Sequence, residues 1–282
     1  MSRNISSRYP VEQNGRLPER TSCFTVALLV FALAASVPVQ ASTEDRQLAD
    51  LFAHDKVRGT MVIASLDGRT TYVHNSPRAQ HRYPVASTFK ILNTLIALQE
   101  GAVKGKDEII RWDGHQHDFP GWNHDQTLES AFKVSCVWYY QELARRVGAE
   151  KYRDYLRLCS FGKLDEPFEA TTFWLDGSLR ASAFEQIELL RSVCNRSLPF
   201  SAAAYETLGE IMVVEKTSKG VIRAKSGWAV RGLQQQGWYV GWVDTCRGVW
   251  LFAMNMDLLS QGELPLRQRI TREALQVKGI ID

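Results

Sequence analysis

The sequence lacks the features that would place it outside ordinary globular proteins. It contains no block of five or six like charges, and its formal net charge over 282 residues is only +3. A nucleic-acid or anionic-membrane surface is therefore not indicated. Internal repeats and linker-like stretches are also absent. With 45% hydrophobic and 23% charged residues, the composition excludes a disordered or collagen-like chain and predicts a sizeable core.

Long hydrophobic runs are missing as well, and the longest candidate lies near the N-terminus. Residues 24–35 are apolar, follow four arginines and precede the small residues of segment 39–41. This order is typical of an export signal, whereas a transmembrane helix needs roughly 20 apolar residues. We predict a signal peptide over 1–41, a periplasmic mature chain over 42–282 and no stable membrane anchor. The long basic stretch leaves the true start codon open.

Cysteine is scarce, with five residues in the whole chain. Cys23 belongs to the predicted signal, so Cys136, Cys159, Cys194 and Cys246 remain, and four cysteines allow three disulfide connectivities. No C-x-x-C pair is present, so a thiol-based zinc or redox site is not indicated. Buried free thiols are the simplest interpretation, and no bridge is predicted.

The first half of the mature chain predicts a hairpin followed by a buried helix. Two β-rich runs, 60–65 and 70–74, flank Asp67-Gly68, a strong hairpin signal. Residues 87–100 then form an apolar helical pattern that a glycine ends. Apolar residues on most faces of this helix place it centrally in the fold.

The second half returns to strands after a helical middle. Residues 105–210 contain loops and helices, clearest over 129–147 and 185–193. A second hairpin is predicted over 237–256, and a last helix runs from 265 to near 279. We therefore predict an α+β fold with a central antiparallel sheet formed by both termini, flanking helices and a mostly helical middle region.

Candidate catalytic residues begin the buried helix. Residues three apart share a helical face, so the Lys90 amine can reach the Ser87 hydroxyl. The unpaired backbone N–H groups at a helix N-terminus favour the negative charge that develops during acyl transfer. A lysine accepts a proton at neutral pH only when its pKa is lowered, and the apolar neighbours Phe89 and Ile91 supply the desolvation that would do so.

Two further motifs follow in a fixed order. Ser135 and Val137 form an S-x-V motif, whose hydroxyl can relay a proton to a leaving nitrogen. Lys225, Ser226 and Gly227 form a K-S-G motif within β-like sequence, where a substrate carboxylate can dock. The order S-x-x-K, S-x-V, K-[ST]-G is much more specific than any single motif.

These motifs resemble those of the serine penicillin-recognising enzymes, and most closely the class D (oxacillinase-type) β-lactamases. The resemblance covers the whole mature chain and includes four further segments, namely 119–122, 173–179, 237–242 and 264–267. Class A enzymes carry S-D-N as the second motif, which this chain lacks. The resemblance implies one β-lactamase/transpeptidase-like catalytic domain with a helical subregion at about 86–205.

The resemblance also implies hydrolysis of β-lactam antibiotics, and hence resistance, through an acyl-enzyme on Ser87. Ser135 corresponds to the proton relay, and Lys90 to a general base that carbon dioxide or bicarbonate converts to N6-carboxylysine. No metal or other cofactor is implied. The residues that match the carbamate pocket are Phe89, Val137, Trp174 and Leu175, and the Trp174 indole N–H corresponds to the group that holds the carbamate.

The same correspondence assigns the substrate-binding residues. Lys225, Ser226 and Arg267 hold the β-lactam carboxylate, the arginine through a bidentate pair. Gly227 lets the substrate approach, and the backbone N–H groups of Ser87 and Trp228 form the oxyanion hole. Arg267 could equally be a surface charge on the last helix. The expected partners are small-molecule β-lactam substrates, and no nucleic-acid partner is expected. We expect the protein to be a monomer or a homodimer.

One departure from the family pattern affects the substrate profile. Phe161-Gly162-Lys163 stands where the family usually has Y-G-N, so a phenol and an amide are lost. The resemblance implies that the lysine adds a cation near the rim of the active site. The range of penicillins, oxacillin, cephalosporins or carbapenems that is hydrolysed stays open.

Three other interpretations compete with this one. His115, His117, Asp118 and His124 form the richest cluster of metal-ligand residue types, but their spacing favours a polar loop over a zinc hydrolase. A penicillin-binding protein or D-alanyl-D-alanine peptidase shares two motifs and would acylate without rapid turnover. A β-lactam sensor domain has similar motifs but requires transmembrane helices before it.

Overall fold

A computed structural model of the protein describes residues 44–231 and 234–282. The predicted signal peptide over 1–41 lies outside these residues, so it stays a prediction. Across the described ranges, none of the helices combines the length and the hydrophobicity needed to cross a membrane.

A six-stranded antiparallel sheet forms the centre of the described chain, in the order β2-β1-β11-β10-β9-β8. Its strands are β1 Gly59–Ser65, β2 Thr71–His74, β8 Val213–Lys216, β9 Gly220–Ala229, β10 Gln235–Thr245 and β11 Gly248–Leu258. Strand β1 pairs with β11, so both ends of the chain complete one sheet. This confirms the predicted α+β architecture.

Both predicted hairpins are present, and local turn chemistry explains them. Gly68 adopts a φ of 74° between β1 and β2, a conformation that glycine reaches without the steric cost of a side chain. Gly248 has a φ of 122° at the turn between β10 and β11. The turn residues therefore determine the registers of these two strand pairs.

Helices cover both faces of the sheet. They are α1 Arg46–His54, α2 Ser76–Gln80, α3 Lys90–Gln99, α4 Leu128–Lys133, α5 Val137–Val147, α6 Ala149–Leu158, α7 Ala183–Cys194, α8 Ala202–Ile211 and α9 Leu266–Val277. Alternate residues of β10 enter different cores: Trp238 packs with the helices of the middle region and Tyr239 with the terminal helices α1 and α9. The central strands are consequently apolar on both faces.

Five short strands of the described chain lie outside the six-stranded sheet. Strands β3 Tyr83–Pro84, β6 Lys163–Leu164 and β7 Leu179–Ala181 form one small sheet, and β4 Ile109–Ile110 pairs with β5 Gln126–Thr127. A 3₁₀ turn, Ala86–Phe89, leads directly into α3. The predicted helix over 87–100 therefore begins with a tighter turn that contains the first motif.

One predicted helix is two helices in the structure. The pattern over 129–147 predicts a continuous helix, but α4 ends at Lys133 and α5 begins at Val137. Ser135 between them has a φ of 57°, and such a left-handed residue cannot continue a right-handed helix. This break puts Ser135 in the loop between the two helix ends, while Val137 of the same motif begins α5.

All four cysteines outside the predicted signal are free thiols. Cys136 is buried, Cys159 and Cys194 are half-buried, and Cys246 is exposed at the turn between β10 and β11. The interpretation as buried thiols therefore holds fully for Cys136, in part for Cys159 and Cys194, and not for Cys246, which lies in an exposed turn.

Candidate active site

The first motif forms a hydrogen-bonded pair at the start of α3. The Lys90 Nζ atom donates a hydrogen bond of 2.9 Å to the Ser87 Oγ atom. The spacing of three residues along the 3₁₀ turn and helix brings the amine beside the hydroxyl. Ala86, which precedes the serine, is buried and has a φ of 47°, a region that residues with side chains rarely adopt.

The Lys90 side chain is completely buried. Burial lowers the pKa of its amine from 10.5 to about 7, and the neighbouring Cys136 thiol opposes this shift only in part. The Nζ atom also lies 5.0 Å from the centre of the Tyr140 ring. Since about half of the amine is neutral at a pH equal to the pKa, Lys90 can accept a proton or react as a nucleophile near pH 7.

Phe89, which precedes Lys90 in the chain, packs in a cluster of aromatic side chains. Phe89 stacks on Trp174 with ring centres 5.9 Å apart and meets Phe173 edge-on at 5.0 Å. The Trp174 Nε1 atom is buried and has no hydrogen-bond partner among the described residues. An unpartnered buried donor is costly. The indole N–H is therefore available to donate a hydrogen bond to an acceptor in this pocket.

Ser135 lies at the break between α4 and α5, opposite the first motif. Its side chain lines the same cleft as Ser87, and Val137, one residue into α5, lines it too. The left-handed conformation of Ser135 turns this loop between the two helix ends. The structure thus brings the first two motifs together from segments almost fifty residues apart.

The third motif lies at the end of β9, beyond the point where β8 stops pairing at Arg223. Lys225 is only 3% exposed, and its Nζ atom donates to the Ser226 carbonyl oxygen at 2.9 Å. Burial, reinforced by the charges of Lys90 and Arg267, lowers the pKa of Lys225 well below its usual value. A substrate carboxylate would offset this concentration of positive charge.

Gly227 allows β9 to pack closely on the nucleophile turn. A Cβ atom at this position would lie 3.0 Å from Thr88 Cγ2 and 3.1 Å from Trp238 Cβ. The next residue, Trp228, donates from Nε1 to Gln235 Oε1 at 2.9 Å. Glycine therefore lets the strand lie this close to the turn, since a larger residue would force Thr88 or Trp238 to move by a few tenths of an ångström.

Arg267 is buried in the first turn of α9, so it is not the surface charge that the sequence left possible. Its Nη1 atom donates to the Gly227 carbonyl oxygen at 2.6 Å, and Nε donates to the Leu264 carbonyl oxygen at 2.7 Å. Burial lowers the pKa of this guanidinium from 12.5 to about 10. The remaining N–H groups of this fixed guanidinium are available to an anion in the cleft.

These groups border a cleft of about 650 Å³. The residues that line it are Ser87, Asp118, Phe119, Trp122, Val134, Ser135, Val137, Leu175, Ser226, Gly227, Trp228, Val230, Arg231, Gln235, Gln261, Leu264 and Arg267. Phe89, Lys90, Trp174 and Lys225 are among the buried residues rather than the cleft lining. The candidate residues therefore form two groups, one that lines the cleft and one that is buried.

Sequence reasoning missed a buried polar contact beside Ser87, at Thr88. The Gln186 Nε2 atom, from α7, donates to Thr88 Oγ1 at 2.9 Å, and both side chains are fully buried. The available signal was a glutamine within the apolar pattern of a predicted helix, which by itself does not show what the side chain contacts.

Lys163 does not lie at the rim of this cleft, contrary to the sequence-based expectation. It is exposed in β6, forms an ion pair with Asp165 at 3.3 Å and lines a separate cavity with Arg82 and Arg180. Strand β6 pairs with β7, which directs residue 163 to that other surface. Phe161 is buried in the core of the middle region.

The histidine-rich segment forms a polar loop rather than a metal centre. His115 and His117 meet edge-on with ring centres 4.9 Å apart, and His117 contacts Trp122. The described parts of the chain contain no cluster of three ligand residues able to hold a metal ion.

Comparisons with known proteins agree with this geometry. Residues 57–276 match the family model for the penicillin binding protein transpeptidase domain. The chain is 40% identical over 228 residues to β-lactamase OXA-20 of Pseudomonas aeruginosa, covering 80% of this chain and 84% of that protein. It is 39% identical over 230 residues to β-lactamase OXA-48 of Klebsiella pneumoniae, covering 82% of this chain and 87% of that protein.

Solved structures show the same similarity. The class D β-lactamase YbXI from Nostoc superposes with a TM-score of 0.81 at 34% identity, covering 83% of this chain and 99% of that one. The class D β-lactamase FUS-1 (OXA-85) from Fusobacterium nucleatum gives a TM-score of 0.82 at 34% identity, covering 85% of this chain and 100% of that one.

Proposed function

The chain belongs to the class D serine β-lactamase family, and we propose that it hydrolyses β-lactam antibiotics through an acyl-enzyme on Ser87. The observation that carries this proposal is the Lys90 amine, which is fully buried, has a pKa of about 7 and lies 2.9 Å from the Ser87 hydroxyl. A lysine in this state can act as a base beside a nucleophile at neutral pH.

We further propose that Lys90 carries an N-carboxylate formed from carbon dioxide. A neutral amine is the form that attacks carbon dioxide, and the Trp174 indole N–H is a buried donor without a protein partner in the described chain. Phe89, Val137 and Leu175 complete the surroundings of this group. When present, the carboxylate supplies the general base for both acylation and deacylation. No metal or other cofactor is part of the proposal.

The remaining residues have proposed roles in making and breaking the acyl-enzyme. The Ser87 oxygen forms an ester bond with the β-lactam carbonyl carbon, and the carbon–nitrogen bond of the ring breaks. Ser135 delivers a proton to the leaving nitrogen. The backbone N–H groups of Ser87 and Trp228 stabilise the oxyanion, while Gly227 keeps these two segments close. A water molecule then hydrolyses the ester and restores the serine.

Lys225, Ser226 and Arg267 are the proposed ligands of the substrate carboxylate. They combine a buried ammonium, a hydroxyl that lines the cleft and a buried guanidinium held by two carbonyl oxygens. The exported mature chain would act in the periplasm and confer resistance there, as a monomer or homodimer. The described residues and the matched family model support one catalytic domain over 42–282.

Steady-state hydrolysis of a penicillin and a chromogenic cephalosporin, with and without bicarbonate, tests this proposal. Wild-type protein should turn over both substrates, and bicarbonate should stimulate the rate. Ser87→Ala and Lys90→Ala should each lose activity by at least about a thousandfold. Lys278→Met, which removes a buried lysine outside the cleft, is the control and should retain kcat at a temperature where it is folded.

The alternative functions give different results in the same experiment. A penicillin-binding protein, a D-alanyl-D-alanine peptidase or a β-lactam sensor would be acylated stoichiometrically and would release product very slowly. Stoichiometric acylation of Ser87 without turnover, in saturating bicarbonate, would therefore refute the β-lactamase proposal. Turnover that does not depend on bicarbonate or Lys90 would refute the role of the carboxylate.

A further inference from the structure

A chain of buried hydrogen bonds connects α7 to the nucleophile turn. Gln186 Nε2 donates to Thr88 Oγ1 at 2.9 Å, and Thr88 Oγ1 donates to the Val85 carbonyl oxygen at 2.6 Å. All three residues are fully buried, and the first two are 98 positions apart in the sequence. Thr88 is the residue directly after the nucleophile.

The direction of these hydrogen bonds follows from the number of hydrogens. A threonine hydroxyl has one hydrogen, and at 2.6 Å the carbonyl oxygen of Val85 can only accept it. The hydroxyl oxygen must therefore accept the second bond, so the Gln186 amide nitrogen faces Thr88. The Gln186 Oε1 atom then points away and has no partner in the described chain. Burying this unpaired oxygen is unfavourable, and the hydrogen bond from Gln186 to Thr88 is formed despite that cost.

The other side of Thr88 supports the strand that carries the third motif. A Cβ atom on Gly227 would lie 3.0 Å from Thr88 Cγ2 and 3.4 Å from the Thr88 backbone nitrogen. Thr88 is thus a spacer between α7 and β9. Its position controls the separation of the Ser87 turn from the strand that includes Trp228.

The turn itself needs external support. Ala86, next to the nucleophile, has a φ of 47°, which is sparsely populated for a residue with a side chain and persists only where the surroundings hold it. Trp238 Nε1 anchors the preceding segment by donating to the Pro84 carbonyl oxygen at 2.9 Å. Gln186 is the matching anchor on the other side of Ala86.

We propose that Gln186 is a positioning residue for acylation. Through Thr88 it holds the backbone N–H groups of Ser87 and Trp228 at the separation that binds the oxyanion. Gln186 itself does not touch the substrate, because it is buried behind the turn. This inference rests on the proposed function, since it assumes that these two N–H groups form the oxyanion hole.

Variants that remove one member of the chain test the proposal. Gln186→Met keeps the approximate length without a donor, and Thr88→Val keeps the shape without a hydroxyl. Each should lower the acylation rate constant about tenfold, because small errors in the position of oxyanion donors are costly in rate. The double variant should lose no more than about the larger single effect, since both changes break one connected unit. Thr88→Ser, which keeps the hydroxyl, should stay within about threefold of wild type.

A matched control separates positioning from general stability. Thr60 is also fully buried, and its Oγ1 donates to the His74 carbonyl oxygen at 2.6 Å, the same length as the Thr88 bond. Thr60→Val therefore removes an equivalent hydrogen bond in β1. It should lower the melting temperature as Thr88→Val does but leave the acylation rate constant unchanged.

The decisive measurement is the affinity of phenylboronic acid, which forms a tetrahedral adduct on a serine nucleophile and mimics the oxyanion. Its affinity should fall about tenfold in Gln186→Met and Thr88→Val, while the noncovalent affinity for the penicillin stays within about twofold. The proposal would be overturned if Gln186→Met and Thr88→Val had the same boronate affinity and acylation rate constant as the wild type. It would also be overturned if Thr60→Val lost as much boronate affinity as these two variants. Wild-type protein that is acylated but not turned over would refute the β-lactamase proposal while leaving this comparison valid.

Discussion

Replacing Lys90 with methionine should make the protein inactive but more stable. The lysine amine is fully buried, with its Nζ atom 5.0 Å from the centre of the Tyr140 ring, and its pKa is lowered to about 7 by that burial. Methionine has a similar length and no charge to desolvate, so it suits the same apolar surroundings. The prediction applies to protein in bicarbonate-free buffer, where Lys90 is not carboxylated.

The size of the effect follows from the pKa. Each pKa unit corresponds to about 1.36 kcal/mol, so lowering the pKa from 10.5 to about 7 corresponds to about 5 kcal/mol of destabilisation when the amine is protonated. At pH 7, where half of the amine is neutral, about 4 kcal/mol remains. Losing the hydrogen bond to Ser87 offsets about 1 kcal/mol, which leaves a net gain of about 3 kcal/mol. The melting temperature of a chain of this size should rise by about 6 to 12 °C.

The pH dependence gives the sign of the effect. Between pH 7 and 10.5 the unfolded state binds more protons at Lys90 than the folded state, so wild-type stability rises with pH across this range. The Lys90→Met variant has no amine at this position, so its free energy of unfolding lacks this pH-dependent contribution. The stability advantage of the variant should therefore be largest below pH 7 and disappear above pH 10.5. Bicarbonate should reduce this stability advantage, because the proposed carboxylation of Lys90 would stabilise only the folded wild-type protein.

Chemical denaturation at pH 6, 7, 8 and 9 in degassed buffer measures this difference. Lys278→Met is the control, because that buried lysine lies 2.5 Å from the Asp45 carboxylate, and its removal should destabilise the protein. A Lys90→Met variant that is no more stable than wild type at pH 7 would refute the reasoning. It would mean that the Lys90 amine is solvated or paired in the folded state.

Three other variants test individual contacts. Trp174→Phe removes the unpartnered indole N–H and should raise the bicarbonate concentration for half-maximal activity by about tenfold or more, measured by titration of degassed enzyme. Unchanged bicarbonate dependence would contradict the role of this donor. Arg267→Lys should raise KM for a penicillin about tenfold with little change in kcat, since a lysine cannot make a bidentate pair; an effect confined to kcat would argue against carboxylate binding. Lys163→Asn should leave kcat/KM within about twofold for penicillin and oxacillin, because residue 163 lies outside the cleft; a larger change would place it in substrate recognition.

The sequence by itself determined the features that depend on neighbouring residues. Ser87 and Lys90 are three residues apart on a helical turn, so their contact is local and could be predicted. The turn at Asp67-Gly68 set its hairpin for the same reason. The three motifs, together with the four further segments, carried the resemblance to the class D family, which the comparisons confirm.

Tertiary structure decided the features that depend on distant segments. The sequence predicted that apolar neighbours desolvate Lys90, but the complete burial that lowers its pKa to about 7 depends on packing with other elements, such as the Tyr140 ring of α5. The contact of Gln186 with Thr88 spans 98 positions, so an amide in an apolar helix pattern could not be assigned to the nucleophile turn. Lys163 was placed near the cleft by analogy, but strand pairing directs it to another surface. Spacing along the chain determines which groups can meet locally, whereas burial and pairing between distant segments determine their charge state and their neighbours.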